Sequence, residues 1–354
     1  MRRAPTLADV ATRAGVSYAT VDRVLNGRGA VAEKSRASVL KAVAELDYVR
    51  NVAAANLAQR RVYRFCFVIP EGTNAFFDRV CAIVDEAGTA ARTDRIKIGV
   101  KRVPAFDPDA LAGGLRSLAD EALDGVVVVG VDGAGVSEAI AALCDRGIAV
   151  LTMISDLPAA SRSAYVGIDN ATAGRTAGGL IVLAHGRGPG RVLPIVGALS
   201  ARDHADRLDG LRQTLAPTAL TVAPLIEGLD RHDVVEARLR AALAADPEIT
   251  AIYSAGAGNA GLIRVIAHLP ADRPRPVVVL HELLPHNRRA LEDGLIDIVI
   301  DQRPEEEVAR VLTLLRNLAD RCPLPEAGPI VPAIYIRENL PARDTSDLLK
   351  GNAA

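Results

Sequence analysis

The stretch from Thr6 to Arg28, TLADVATRAGVSYATVDRVLNGR, has the pattern of two short helices joined by a glycine turn. Thr6 and Asp9 stand three residues apart, which is the spacing of a reciprocal N-cap at a helix start. Gly15 interrupts the first helix, and Ser17 is a favourable N-cap for the second. Small residues lie where the helices would cross and polar residues lie on the outer face of the second helix. The stretch therefore predicts a helix-turn-helix.

The segment around this motif is basic, whereas the rest of the chain is acidic. Residues 1–64 carry 12 Lys and Arg against 5 Asp and Glu, and residues 65–354 carry 30 against 38. A third helix, about Glu33 to Leu46, is predicted to close a small core around Val39. A basic head on an acidic body indicates a nucleic-acid-binding segment joined to a domain of another kind.

The composition is typical of a globular protein of the cytoplasm. The chain has 354 residues, of which 49% are hydrophobic and 24% charged, and this length suggests two or three domains. We expect no membrane span and no secretory signal, because no apolar run approaches about 18 residues and none follows the basic N-terminus. The four cysteines lie far apart, so we expect reduced thiols and no disulfide or metal site.

After Arg64, apolar runs alternate with amphipathic stretches of helix length. Near-continuous apolar runs of this kind are typical of buried parallel strands with helices on both faces of the sheet. The eight runs are residues 64–70, 95–103, 125–130, 149–154, 191–197, 220–226, 251–256 and 276–282. Two such halves predict two lobes with a ligand cleft between them, at the carboxyl ends of their strands.

One stretch favours an alternative function. Residues 251–269, AIYSAGAGNAGLIRVIAHL, place Gly256, Gly258 and Gly261 in G-x-G-x-x-G spacing after an apolar strand. Such a turn can present a dinucleotide pyrophosphate to a helix N-terminus, and Glu282 at the next strand end could take the ribose hydroxyls. An NAD-dependent oxidoreductase is thus the alternative. However, dinucleotide fingerprints open the first unit of a domain, whereas this one follows about seven strands and leaves the basic head unexplained.

The runs TLADVATRAGVSYATVDRVLNG and KSRASVLKAVAELDYVRNVAAANLA are similar to the N-terminal segment of lactose-repressor (LacI/GalR) family transcription regulators. The similarity continues at lower density to about residue 340. The resemblance implies a small all-α helix-turn-helix headpiece followed by an α/β effector domain. That domain would have two lobes with doubly wound parallel sheets, like a periplasmic sugar-binding protein.

The resemblance also implies which headpiece residues contact DNA. Tyr18 and Ala19, at the start of the second helix, would read base edges in the major groove. Phosphates and neighbouring bases would be contacted by Ser17, Thr20, Arg23 and Asn26. Asp22 departs from the small hydroxyl residue common at its position. It could accept from a cytosine amino group or orient Arg23.

The segment after the headpiece resembles the family's hinge. Asn51 can cap a short alanine-rich helix, Val52 to Gln59, which is marginal alone in water. In the family this helix forms when two copies meet in the minor groove, and a leucine wedges a base step apart. Leu57 holds that position, between Ala54 and Ala58. A helical linker without DNA contact is the alternative.

Cleft residues are expected at the strand ends. Asn74, Phe76 and Phe77 follow the first strand, and aromatic rings with planar polar groups suit a sugar, although either phenylalanine could belong to the core. The resemblance adds six further ligand contacts: Asp156, Arg162, Arg207, Asn259, Glu282 and Gln302. For Asp156 and Arg162 a salt bridge is the alternative.

We therefore expect a sequence-specific repressor, controlled by a small sugar, a sugar derivative or a polyol such as inositol in the cleft. A sugar-binding protein without a DNA role is a further alternative. We expect a homodimer on double-stranded operator DNA in the bacterial cytoplasm, at the nucleoid when bound, with no enzymatic activity, cofactor or metal. The expected boundaries are 1–50 for the headpiece, 51–61 for the hinge, 62–344 for the effector domain and 345–354 for a polar tail. Within the effector domain we expect an N-lobe of about 62–165 and 300–328 and a C-lobe of about 166–299 and 329–344.

Overall fold

The structure is a computed structural model that describes residues 5–26, 30–48, 61–157, 162–186, 188–326 and 328–342. The chain divides into two compact units, Met1–Arg61 and Val62–Ala354. We call them the N-terminal unit and the C-terminal unit. Their described residues form separate hydrophobic clusters.

The N-terminal unit contains three helices. They are α1 (Leu7–Ala14), α2 (Tyr18–Asn26) and α3 (Glu33–Glu45). The predicted reciprocal cap is present, since the Asp9 amide donates to the Thr6 hydroxyl and the Thr6 amide donates to the Asp9 carboxylate. Gly15 ends α1 in the left-handed conformation, with φ of 66°. The three helices enclose Val10, Val21 and Val39, so the predicted helix-turn-helix is confirmed.

The first lobe of the C-terminal unit is built on a five-stranded parallel sheet in the order β2-β1-β3-β4-β5. The strands are β1 (Tyr63–Glu71), β2 (Ile96–Pro104), β3 (Gly125–Val128), β4 (Ala149–Met153) and β5 (Ala164–Val166). The helices between them are α4 (Ala75–Ala90), α5 (Pro108–Leu118) and α6 (Ala134–Asp145). Burial on both faces explains the continuous apolar runs in the sequence.

The second lobe repeats the alternation. Its elements are α7 (Asn170–His185), β6 (Gly190–Val196), α8 (Arg202–Leu215), β7 (Leu220–Val222), β8 (Ile226–Glu227), α9 (His232–Ala245), β9 (Ile249–Ser254), α10 (Asn259–Ala267), β10 (Val277–His281), α11 (Pro285–Glu292) and β11 (Ile298–Asp301). The run 220–226 was expected to be one strand but forms two short ones, β7 and β8. Pro224 lies in the break and has no amide hydrogen to donate to a neighbouring strand.

The chain returns to the first lobe after β11. Helix α12 (Pro304–Ala319) packs against the first sheet, and β12 (Ala333–Tyr335) then pairs antiparallel with β11 in the second sheet. The second sheet thereby has the order β12-β11-β10-β9-β6-β7, with β8 also paired to β6. Ile168 and Ile330 form a parallel bridge where two of these crossings run side by side. These crossings place the carboxyl ends of both sheets on either side of one cleft.

Among the helices in the described ranges, none is both long enough and apolar enough to cross a membrane.

Candidate functional site

The start of α2 presents an exposed surface in the N-terminal unit. Ser17, Tyr18, Ala19 and Arg23 are exposed, and the Tyr18 side chain is 57% accessible. The Ser17 hydroxyl accepts from the Thr20 amide at 3.2 Å and lies 2.9 Å from the Thr20 hydroxyl, which fixes the first turn. An exposed aromatic ring on a small helical unit is available to a partner.

Two of the other predicted DNA contacts are less exposed. Thr20 and Asp22 are half-buried, and Asn26 is the last residue of α2. The predicted hinge contacts Asn51, Ala54, Leu57 and Ala58 lie outside the described residues.

The cleft of the C-terminal unit gathers seven of the nine predicted effector contacts. They are Asn74, Phe76, Phe77, Arg207, Asn259, Glu282 and Gln302. They follow strands β1, β6, β9, β10 and β11, as expected for a site at the carboxyl ends of parallel strands. The free volume is about 50 Å³, which is room for a few water molecules.

The two phenylalanines occupy different depths. Phe76 is 4% exposed and packs in the core of the first lobe, whereas Phe77 is half-buried. Their ring centroids are 5.4 Å apart, and both rings line the cleft. The core and ligand-site interpretations of these phenylalanines are compatible, because Phe76 belongs to the core and also lines the cleft.

Arg207 is the charged centre of the cleft. It lies on α8 and is 3% exposed; Nε donates to Asn170 Oδ1 at 2.8 Å and Nη1 donates to the Ala255 carbonyl at 2.8 Å. Asn170 in turn donates to the Ile154 carbonyl of the first lobe at 3.2 Å. Nη2 is buried without a hydrogen-bond partner among the described residues. The guanidinium is thus held in place with one donor left over.

Asn259 and Glu282 are also buried at strand ends. Asn259 accepts from the Ser254 hydroxyl at 2.6 Å, and Glu282 accepts on Oε1 from Gln302 Nε2 at 2.9 Å. Burial and then the nearby Asp301 carboxylate raise the pKa of Glu282 to about 8, although Arg207 opposes the rise. Burial at this strand end therefore favours the protonated form of Glu282.

Asp156 and Arg162 do not line the cleft, in contrast to the prediction. The Arg162 guanidinium forms a two-pronged ion pair with the Asp156 carboxylate, and the Thr152 hydroxyl donates to the same carboxylate at 2.6 Å. Burial alone would raise the pKa of Asp156, but these hydrogen bonds lower it overall. The salt-bridge interpretation describes this pair, because the two charges neutralise each other beside the site.

Two acidic residues of the cleft were missed. Asp230 is 4% exposed and bridges the lobes: it accepts from Asn74 Nδ2 at 2.7 Å, and its carbonyl accepts from the Thr73 hydroxyl at 2.9 Å. Asp203 on α8 is also buried; burial would raise its pKa, but His204 and Arg207 lower it overall. Asp203 lies four residues before the predicted Arg207, in RDHADRLDGL, so the sequence could have indicated it. Asp230 follows β8, a strand that the sequence did not predict as separate.

Comparison with known proteins gives the chain a family. Residues 6–51 match the bacterial regulatory proteins of the lacI family, and residues 65–321 match the periplasmic binding protein domain. The chain belongs to the lacI family of regulatory proteins. The resemblance inferred from the sequence is thereby confirmed.

Two relatives of this lacI-family chain are named transcriptional regulators. The HTH-type transcriptional regulator DegA of Bacillus subtilis (strain 168) is 26% identical over 220 residues, which are 61% of this chain and 62% of DegA. The HTH-type transcriptional regulator CelR of Thermobifida fusca is 28% identical over 263 residues, which are 72% of this chain and 74% of CelR. The aligned part of the chain thus spans less than two thirds of DegA.

A solved structure resembles the C-terminal unit. GanP, a glucose-galactose binding protein from Geobacillus stearothermophilus, has a TM-score of 0.72 and 21% identity, and the alignment covers 80% of this chain and 100% of GanP. At this identity the likeness concerns the fold. The predicted two-lobed α/β fold is confirmed.

The glycine turn of this lacI-family chain has a structural role. A Cβ on Gly261 would overlap the His232 carbonyl oxygen of α9, and a Cβ on Gly258 would lie 2.6 Å from Val235 Cγ2. Gly258 also has a left-handed φ of 89°. The protein's own packing therefore requires these two glycines, whether or not a nucleotide is present.

Within the described part of the chain, no group of three or more His, Cys, Asp and Glu side chains is arranged to hold a metal ion.

Proposed function

We propose that this lacI-family chain is a sequence-specific DNA-binding transcriptional repressor whose operator affinity is controlled by a small sugar or polyol in the cleft. The observation that carries the proposal is the combination of two sites in one chain. The N-terminal unit exposes the polar face of a helix-turn-helix, and the C-terminal unit encloses a cleft of buried polar groups.

On the DNA side, α2 would be the recognition helix. Tyr18 and Ala19 would contact base edges, while phosphate and flanking contacts would come from Ser17, Thr20, Asp22, Arg23 and Asn26. The basic charge of the first 64 residues would supply the salt-dependent part of the affinity. Asn51, Ala54, Leu57 and Ala58 would form the hinge, with Leu57 inserted between base pairs of the minor groove.

On the effector side, the buried polar groups match a ligand with several hydroxyls. Arg207 Nη2 is a donor without a hydrogen-bond partner among the described residues. Gln302 Oε1 is an acceptor that also has no partner there. Both side chains are under 4% exposed, so leaving them unpaired costs free energy that a hydroxylated ligand would recover. Phe77 would pack against the apolar face of the ligand's ring. Asn74, Asn259 and Glu282 would lie at the edges of that ligand ring.

The two sites would be coupled through a homodimer. Two headpieces would occupy successive major grooves of a near-palindromic operator, and ligand-driven movement of the lobes would alter the spacing of the hinges. Release by an inducer and stabilisation by a corepressor are both compatible with this arrangement. A coupling free energy of about 1 to 3 kcal/mol is sufficient for switching.

The proposal also covers location and organisation. We place the protein in the bacterial cytoplasm, at the nucleoid when bound to its operator, without enzymatic activity or cofactor. The headpiece would be residues 1–50, the hinge 51–61, the effector domain 62–344 and the polar tail 345–354. The oxidoreductase alternative loses support, because the turn glycines serve helix packing and the relatives are named regulators.

The test has two parts and uses the full chain. Operator sequences are selected from a random-sequence duplex library, and a near-palindrome is expected. Thermal-shift titrations then compare pentoses, hexoses, inositols and other polyols with NAD and NADP. Saturable stabilisation by a polyol supports the proposal. Failure to enrich any sequence, or stabilisation by NAD or NADP alone, contradicts it.

A further inference from the structure

The inner wall of the cleft contains four buried side chains with unused polar atoms. Within the described residues, Arg207 Nη2, His281 Nδ1, Glu282 Oε2 and Gln302 Oε1 have no hydrogen-bond partner, and all four side chains are at most 6% exposed. All four line the cleft.

The cleft is richer in carboxyl groups than in cationic side chains. In the described part of the chain its lining includes the carboxyl groups of Asp203, Asp230 and Glu282, and Arg207 is its guanidinium group. Arg207 donates hydrogen bonds to Asn170 and to the Ala255 carbonyl. An anionic ligand would therefore meet a wall whose acidic groups outnumber the guanidinium.

A second buried carboxyl lies behind Glu282. Glu307, in the first turn of α12, is 0% exposed, and neither of its oxygens has a partner among the described residues. Burial and then the Glu282 carboxyl raise the pKa of Glu307 well above its ordinary value. The two acids thus interact unfavourably when both are ionised.

Other charged groups near Glu282 do not offset the repulsion that would arise if both acids were ionised. Asp301 on β11 adds a further negative charge, while Arg79 on α4 already donates to Asp301 at 2.8 Å and to Glu305 at 2.9 Å. A cation beside Glu282 Oε2 would favour the ionised form of Glu282 and make a charge-assisted hydrogen bond with it.

We propose that the effector is a polyhydroxylated amine, such as an amino sugar or an aminocyclitol, whose ammonium group binds Glu282 Oε2. Its hydroxyl groups satisfy Arg207 Nη2 and Gln302 Oε1. This inference rests on the proposed function, since it narrows the sugar or polyol of that function to its amino derivatives. A neutral polyol fills the same space but makes no charge-assisted hydrogen bond with Glu282 Oε2.

Proton release gives the assignment a distinctive signature. At pH 6.5 Glu282 is protonated, because its pKa is about 8 before the ligand binds. An arriving ammonium group favours the carboxylate, so the Glu282 proton leaves to solvent as the ligand binds. A neutral polyol leaves Glu282 protonated and releases no proton from it.

The experiment is calorimetric titration of the full chain at pH 6.5 in two buffers of different ionisation enthalpy. The probes are three matched pairs: glucose and glucosamine, galactose and galactosamine, and inositol and an amino-inositol. For at least one pair we expect the amine to bind about tenfold tighter than its parent, with release of up to about one proton. The isosteric Glu282→Gln should abolish both the preference and the proton release, whereas Glu248→Gln, at an exposed position of the same lobe, should retain them.

The outcomes separate this inference from the proposed function. If parents bind as tightly as amines in every pair, the amine assignment is wrong and a sugar-controlled repressor still stands. If no probe binds, the amine assignment is also wrong, while operator binding remains a separate result. Retention of the amine preference by Glu282→Gln would likewise overturn it.

Discussion

At the scale of single residues, backbone strain marks the cleft. Ile154, Asp230 and Glu282 line it, and their φ angles are 69°, 55° and 71°. The left-handed region is unfavourable for side chains other than glycine, especially a β-branched one, and costs of order 1 to 2 kcal/mol each. The Ile154 carbonyl is thereby turned to accept from the Tyr165 hydroxyl at 3.0 Å and from Asn170 at 3.2 Å. Strain at strand ends thus builds the join between the lobes.

The buried acid Glu282 makes stability depend on pH. In the folded chain its pKa is about 8, against an ordinary value of 4.5, so unfolding releases its proton between these pH values. Its contribution is fully present below pH 4.5 and is lost as the pH rises toward 8. Glu282→Gln should reduce the loss of unfolding free energy between pH 5 and pH 8 by about 2 to 4 kcal/mol. Urea unfolding at both pH values measures this, with Glu248→Gln as control; an unchanged pH dependence in Glu282→Gln would show that Glu282 is ionised in the folded chain.

The exposed pair at the start of α2 should determine which operator is preferred. Replacing Tyr18 and Ala19 together should change the bases recovered at one position of each half-site, because a base contact contributes about 1 to 3 kcal/mol of discrimination. Selection from a random duplex library measures the preference. Thr12→Ala, on the exposed side of α1, is the control and should leave the recovered sequences unchanged. If the double variant recovers the same operator sequences as the unmodified chain, Tyr18 and Ala19 do not read bases.

At the scale of elements, the sequence predicts the central strands well because they are buried on both faces. The apolar runs 64–70, 149–154 and 276–282 become β1, β4 and β10 with small shifts of their ends. Side chains that follow the parallel strands of either lobe face the cleft between the lobes, so the sequence predicts Asn74 and Glu282 in one site although they belong to different sheets.

Other features of the site depend on contacts that a sequence pattern does not contain. Asp230 lies in the cleft after β8, a strand of only two residues that follows the break at Pro224. Asp156 and Arg162 form an ion pair across six positions, and the sequence left that pairing open beside a ligand role. The G-x-G-x-x-G pattern is ambiguous for a related reason, because close packing of two helices and binding of a pyrophosphate both require glycine.

Two glycine substitutions separate packing from helix propensity. Gly261→Ala should destabilise the chain by about 2 kcal/mol or more, because the added methyl would overlap the His232 carbonyl oxygen where α10 meets α9. Gly113→Ala places a methyl in open space on α5 and should stabilise the chain by about 0.5 to 1 kcal/mol. Chemical unfolding of both variants measures the difference. Equal effects would mean that α9 and α10 do not pack as described.

At the scale of the whole molecule, one chain carries two candidate sites, and we propose that they are coupled. The C-terminal unit passes the chain between its lobes at β5–α7, at β11–α12 and again before β12, so a ligand that holds both lobes fixes their relative position. Asp230 joins the lobes through Asn74 and Thr73, and Arg207 joins them through Asn170. A ligand bound among these side chains would therefore contact groups that join the two lobes.

The central claim is that cleft and operator are thermodynamically coupled. The most direct measurement is the affinity of the full chain for its selected operator, by fluorescence anisotropy, with and without a saturating cleft ligand from the thermal-shift screen. The reciprocal measurement is the affinity for that ligand with and without saturating operator. We predict that the ligand changes the operator Kd by about 5- to 150-fold, and that the operator changes the ligand Kd by the same factor. An operator Kd that stays the same while the cleft is saturated would contradict the account.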